Sequence, residues 1–182
     1  MEFVILGLLL LRDLTQYEIK SILERKVSPF YSASLGSIQA ALKKLESGGH
    51  ADRQEVLQGG RRKLVYAISD EGKRRFLEWM KADVPLKQLD KEVTTRLFFL
   101  GLLAAEDRIR VVEAVIGTLE AGIRDFEAAG VAAGSVQVPA DLTAIAKYQF
   151  KTLELGLHFH RSMLSWFQTL LREIKEEEEG LA

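Results

Sequence analysis

One interruption in an otherwise helical periodicity constrains this chain more than any other feature, and it falls between residues 48 and 69. Two short segments of strand character, Ala51–Val56 and Lys63–Ile68, flank Leu57-Gln58-Gly59-Gly60 and Arg61-Arg62. That pattern is a hairpin signal with a loop of several residues. Three helical stretches precede it. In the first, Val4, Ile5, Leu8, Leu9 and Leu11 are apolar on most sides, as expected of a helix that others cover. Thr15 then stands three residues before Glu18, the spacing of a capping box, so a second helix is expected from Gln16 to about Lys26. Ser28-Pro29 breaks it. A third helix is expected from Leu35 to Ser47, closed by Gly48-Gly49 because glycine takes the left-handed conformation without a Cβ penalty. After the hairpin, Ser69 caps a fourth helix whose first turn carries Asp70 and Glu71 at the positive end of the dipole. Helix, helix, helix, hairpin, helix is the order of a winged helix-turn-helix.

Pro85 marks the expected boundary, with a DNA-binding winged unit at 1–82 and a C-terminal helical unit at 83–182. Helices are expected from about Lys91 to Leu103 and from about Asp107 to Ala129. Gly130, Gly134 and Pro139 punctuate a loop before a long final helix starting near Ala140. The fold class is therefore mainly α, an N-terminal winged helix-turn-helix followed by a C-terminal helical dimerisation domain. The net charge of −1 announces no partner, but residues 1–80 carry 13 Lys and Arg against 10 Asp and Glu, and the rest is acidic. Without cysteine there are no disulfides or thiolate metal sites, which fits a cytoplasmic protein. The apolar run from Phe3 to Leu11 has Glu2 where a signal peptide needs basic residues, and it is too short to span a bilayer, so no membrane association is expected.

The third helix divides into two faces. With about 100° per residue, Ala41, Leu42 and Leu45 cluster around Ile38 on an inward side, while Gly36, Ala40, Lys43 and Ser47 lie opposite, flanked by Ser37, Gln39 and Lys44. Small residues at Gly36, Ser37 and Ala40 allow close approach to base edges, and Gln39 can bond adenine through two hydrogen bonds. Lys43 and Lys44 suit phosphates. Arg61, Arg62 and Lys63 place three consecutive cations at or beside a hairpin tip, within reach of the minor groove or its bordering phosphates.

The pieces Ile5-Leu6-Gly7-Leu8-Leu9, Tyr17-Glu18-Ile19-Lys20, Gly36-Ser37-Ile38, Leu42-Lys43-Lys44-Leu45-Glu46, Gly59-Gly60-Arg61-Arg62-Lys63 and Ala67-Ile68-Ser69-Asp70-Glu71-Gly72, in that order, resemble the PadR family of bacterial regulators. The back half is similar, in helix pattern and length, to the longer subfamily with a helical, virulence-activator-like C-terminal domain. The resemblance adds Tyr17 to the expected DNA-facing residues. It implies a homodimeric repressor of double-stranded operator DNA, relieved by a ligand, often a phenolic or other aromatic molecule, or by another signal. Two positions depart from the family pattern: Thr15-Gln16 stand where His-Gly is usual, and Gln39 where tyrosine is common.

In the final helix Phe150, Leu153, Leu157, His160, Leu164, Phe167, Leu171 and Ile174 alternate steps of three and four, a heptad seam expected to carry dimerisation. Ile145, Tyr148, Leu155, Phe159, Met163, Trp166 and Leu170 form a second row beside it, so that one row could pack on the chain's own helices and the other on a partner. A monomeric bundle burying both rows is the alternative. Trp79, Phe98, Phe99, Tyr148, Phe159, Trp166 and Phe167 are expected in the core rather than in a ligand cage. His158 and His160, two apart, do not share a helix face, so no metal pair is expected. No nucleophile with a base, carboxylate pair or phosphate-cradling glycine loop has credible spacing, so no catalytic residues and no cofactor are expected. A protein-interaction adaptor built on a winged helix that has lost DNA binding is the rival reading.

Overall fold

The computed structural model describes residues 1–24, 34–58, 61–86 and 89–180. Its elements run α1 (Glu2–Leu11), β1 (Leu14–Thr15), α2 (Gln16–Ile22), α3 (Leu35–Ser47), β2 (Ala51–Gln58), β3 (Arg61–Ile68), α4 (Asp70–Lys81), α5 (Leu89–Phe99), α6 (Ala105–Gly134) and α7 (Thr143–Glu179). The expected end of the second helix near Lys26 and the break at Ser28-Pro29 lie outside the described residues. Contacts group Met1–Ala82 with Asp90–Leu103 in one unit, and Asp83–Leu89 with Ala104–Ala182 in another.

In the winged unit α1 is buried from Val4 to Leu9, covered by α3, α4 and β3. The strands form an antiparallel sheet in the order β1-β3-β2. The two-residue strand β1 carries no periodicity to announce it, and it pairs Leu14 with Tyr66 and Thr15 with Val65. Between β2 and β3 the register runs from Ala51 opposite Ile68 to Gln58 opposite Arg61. The hairpin is thus longer, and its loop shorter, than the sequence suggested: Arg61 and Arg62 belong to the ladder.

Helix ends follow the chemistry of their residues. Gly49, at φ 70°, ends α3, with its N–H donating to the Glu46 carbonyl and that of His50 donating to Leu45, which closes a Schellman motif. The Ser69 hydroxyl accepts from the Gly72 N–H at 3.0 Å and donates to the Gly49 carbonyl at 2.7 Å, tying the start of α4 to the end of α3. Gly72 is required by close approach, since a Cβ there would stand 2.0 Å from the His50 carbonyl oxygen. Gly7 serves the same end in α1, where a Cβ would meet the Phe99 ring at 2.6 Å.

That last contact explains why a single cut at 82/83 does not describe the division. Most of α5 returns to the winged unit, and Phe99 is buried there against Phe76. Arg96, buried on the same helix, donates to the carbonyls of Met80 (3.2 Å) and Ala82, pairs with Glu92 at 3.1 Å and lies 5.0 Å from the Trp79 ring centre. It satisfies carbonyls at the end of α4 that a helix leaves unpaired. An arginine in a sequence reads as surface, and this one is core.

In the second unit α6 and α7 form an antiparallel hairpin. Cross-pairs Arg108–Glu178 (3.8 Å), Glu113–Lys175 (2.9 Å) and Glu127–Arg161 (2.6 Å) run along it. α6 continues to Gly134, beyond the expected end at Ala129, and Gly130 lies within it facing α7, where a Cβ would come within 3.2 Å of Leu153. Among the described residues no helix is long and apolar enough to cross a membrane.

Candidate nucleic-acid interface

α3 is fixed in rotation by Ile38, Ala41, Leu42 and Leu45, each at most 5% exposed. Its other face, Gly36, Ser37, Gln39, Ala40, Lys43 and Lys44, is exposed throughout. Ser34 caps the helix by accepting from the Ser37 N–H at 3.1 Å, and the Ser37 hydroxyl donates back to the Ser34 carbonyl at 2.8 Å. Ser37 therefore presents its hydroxyl oxygen chiefly as an acceptor. The two lysines differ: Lys44 lies 3.7 Å from Glu2 of α1, whereas Lys43 makes no ion pair among the described residues.

α2 starts with the expected capping box. The Thr15 hydroxyl accepts from the Glu18 N–H at 3.2 Å, and the Glu18 carboxylate accepts from the Thr15 N–H and hydroxyl, both at 2.8 Å. These hydrogen bonds, the backbone one foremost, with Arg12 adding its charge, hold the Glu18 carboxyl below its ordinary value of 4.5. Gln16, which replaces the usual glycine of the family pattern, donates to the Leu35 carbonyl at 3.2 Å and so braces α2 against the first turn of α3. Tyr17 follows it, 76% exposed, and shares a groove with Lys63 and Leu64 of β3.

The wing does not present three equivalent cations. Strand alternation sends Arg62 and Lys63 to opposite faces. Arg62 pairs with Glu55 of β2 at 3.5 Å, while Lys63 joins Tyr17 in its groove. Arg61 stands opposite Gln58 at the end of the ladder. A second cleft, lined by Gln39, Lys43, Glu46 and Ser47 of α3 and by Arg53 and Tyr66 of the sheet, was not expected from the sequence. Only the register, which sets Arg53 opposite Tyr66, brings these residues together.

The heptad row of α7 is turned the other way from the expectation. Phe150, Leu153, Leu157, His160, Leu164 and Leu171 are partly buried and Phe167 fully, on the side that meets α6 of the same chain. The His160 ring lies 4.9 Å from that of Phe126, and its Nδ1 is 2.8 Å from the Gly156 carbonyl. The second row is the open one: Ile145, Tyr148, Leu155, Phe159 and Trp166 are each at least half exposed. Tyr148, Phe159 and Trp166 are therefore not core within one chain, and neither is Phe98, at 42% exposed, whereas Phe99 and Phe167 are. The reason is geometric, since a single α6 covers one stripe of α7 and the heptad row fills it.

Three helices, a basic-edged hairpin and an exposed face on the third helix make the N-terminal unit a DNA-binding module of the winged helix-turn-helix class. Residues 5–78 match the PadR-like family of transcriptional regulators. The negative transcriptional regulator PadR of Bacillus subtilis is 22% identical over 179 residues, covering 97% of this chain and 98% of that one. The crystal structure of Bacillus subtilis PadR with operator DNA is similar at 22% identity and a TM-score of 0.46, over 95% of this chain and 98% of the other. That of the same regulator with p-coumaric acid gives 19% identity and a TM-score of 0.40, over 96% and 94%. Over residues 5–78, the winged unit, the chain is thus similar to a family of transcriptional regulators.

The capping box has a measurable pH signature. Because folding lowers the Glu18 pKa, the carboxylate contributes stability above about pH 4.5, and the contribution fades as pH falls below that value. Glu18→Ala is expected to lower the melting temperature at pH 7, and by less at pH 3. An equal deficit at both values in thermal melts would show that the carboxylate charge has no part in it.

Proposed function

We propose that the chain is a cytoplasmic repressor that binds double-stranded operator DNA as a homodimer and releases it on binding a small aromatic effector. The observation that carries the DNA half is the exposed outer face of α3, small at Gly36, Ser37 and Ala40 and basic at Lys43 and Lys44. In this reading Gln39 meets a base edge, and Tyr17, Lys43, Lys44, Arg61, Arg62 and Lys63 contact the backbone or minor groove. Gln39→Ala should cost about 1–3 kcal/mol on operator and little on random duplex. Changing Arg61, Arg62 and Lys63 together to Ala should weaken binding on every sequence and reduce the salt slope by about two to three. Titrations over a salt series check both, and a triple variant with the parent's slope would remove the wing from the contact set. A protein with no affinity for its own promoter or for random duplex at low salt would overturn the reading as a whole.

The dimer follows from the exposed apolar row of α7. A contiguous row of large apolar side chains on a single chain marks an interface, and covering each contributes about 1.5–3 kcal/mol. Two winged units held about 34–36 Å apart would read two half-sites. Phe159→Asp with Trp166→Asp should give a folded, weakly binding monomer, whereas Leu157→Asp, facing α6, should reduce helicity. Sedimentation and circular dichroism separate the two, and a dimer of undiminished affinity in the double variant would put the interface elsewhere.

The effector half is supported by a pocket of about 200 Å³ in the winged unit, lined by Leu8, Leu11, Arg12, Leu14, Ile22 and Phe98. Apolar walls with one guanidinium suit an aromatic ring bearing a carboxylate. Ile22 belongs to α2, which is braced to α3, so filling the pocket would bear on the DNA-reading helix. p-Coumaric acid, present in the structure of the relative, is expected to release operator from the parent and less so from Phe98→Ala. Release equal in both would move the effector to another site.

A further inference from the structure

We propose that the cleft between α3 and the sheet is a phosphodiester site, in which Lys43 and Arg53 together grip one backbone phosphate of bound DNA. The proposal rests on the reading that α3 meets DNA, and it adds Arg53, Glu46 and Tyr66 to that surface. Its first support is where the charge lies. Lys44 is drawn to Glu2 at 3.7 Å, so Lys43 is the cation of α3 without an ion pair among the described residues, and Lys43 lines the cleft. Arg53 faces it from β2, brought there by its pairing with Tyr66.

Glu46, one turn along α3 from Lys43, holds Arg53 at 3.2 Å. The pair is solvent-exposed and therefore weak, which leaves the guanidinium available to a stronger anion. A phosphodiester can accept a guanidinium through two oxygens, and DNA adds its other contacts to that one, whereas the exposed Glu46 offers Arg53 a single ion pair at 3.2 Å. Glu46 thus keeps Arg53 at the cleft and cancels its charge until DNA replaces the carboxylate. The second support is Tyr66, only 7% exposed, which also lines the cleft and whose hydroxyl makes no hydrogen bond among the described residues. Its ring is buried while its hydroxyl opens to the water of the cleft, where a phosphate oxygen would accept its proton. The Ser47 hydroxyl already donates to the Lys44 carbonyl at 3.1 Å and is not needed. Because Gln39 lines the same cleft, a phosphate held there would set the register of the base beneath Gln39.

The test is a salt series on random duplex with the full-length protein. Arg53→Ala should bind about tenfold more weakly at low salt with a reduced slope, and Lys43→Ala with Arg53→Ala should lose about 0.9 of slope, the value of one phosphate contact. Arg53→Lys should keep the slope but not the full affinity, Tyr66→Phe should lose a few-fold in affinity at unchanged slope, and Glu46→Gln should bind a few-fold more tightly. Arg53 is half exposed, so its loss leaves the fold intact, and circular dichroism verifies this. An Arg53→Ala protein with the parent's affinity and slope overturns the site while leaving the DNA reading in place. A parent that binds no duplex removes the reading beneath it, so the two failures are distinct. Inorganic phosphate should compete with duplex beyond the effect of chloride at equal ionic strength in the parent but not in Arg53→Ala; phosphate that binds the parent in calorimetry without displacing duplex would assign the cleft to a free anion and overturn its role in holding DNA.

Discussion

The rotation of α3 about its own axis is the constraint on which the rest of the DNA-facing surface depends. Four side chains, Ile38, Ala41, Leu42 and Leu45, are removed from water on one side. Burying each of the larger ones contributes about 1.5–3 kcal/mol, so turning the helix by half a revolution would cost several times a typical surface interaction. Everything polar on α3 is therefore aimed by apolar packing. The same burial sets where α2 and the sheet can stand: α2 is braced through Gln16 to the Leu35 carbonyl, and α4 is anchored through Ser69 and Gly72 to the backbone at Gly49 and His50.

On that scaffold the electrostatics are less generous than a count of basic residues implies. Lys44, Arg53 and Arg62 each stand within 4 Å of a glutamate, Glu2, Glu46 and Glu55 respectively. Exposed pairs of this kind contribute little to stability. They do lower the charge the free protein presents to any polyanion, while leaving each cation in place for one whose oxygens bind it better.

The C-terminal hairpin shows how one helix can serve two surfaces. α7 carries two apolar rows, and α6 has room to cover one. The heptad row takes the internal place: Leu153 and Phe150 face Gly130 and Gly134 on α6, and Gly156, beside the row, lets Phe126 approach. The row with larger aromatic groups, Tyr148, Phe159 and Trp166, is left at the surface.

The sequence by itself determined the order of elements and their caps, because these depend on neighbours within a turn: Thr15 with Glu18, Ser69 with Gly72, Gly49 after Ser47. It also determined which face of α3 points inward, since that follows from a period of 3.6 residues. The pairing of Arg53 with Tyr66 depends on the hairpin register, which sets Gln58 opposite Arg61 and which a slip of one residue would change. Other assignments had no local signature. The burial of Arg96 among the carbonyls of Met80 and Ala82, the return of α5 to the winged unit, and the choice of which α7 row meets α6 are decided between segments far apart in the chain. Periodicity shows that a row of side chains must be covered, and only the tertiary structure, through the space that neighbouring helices leave, decides what covers it.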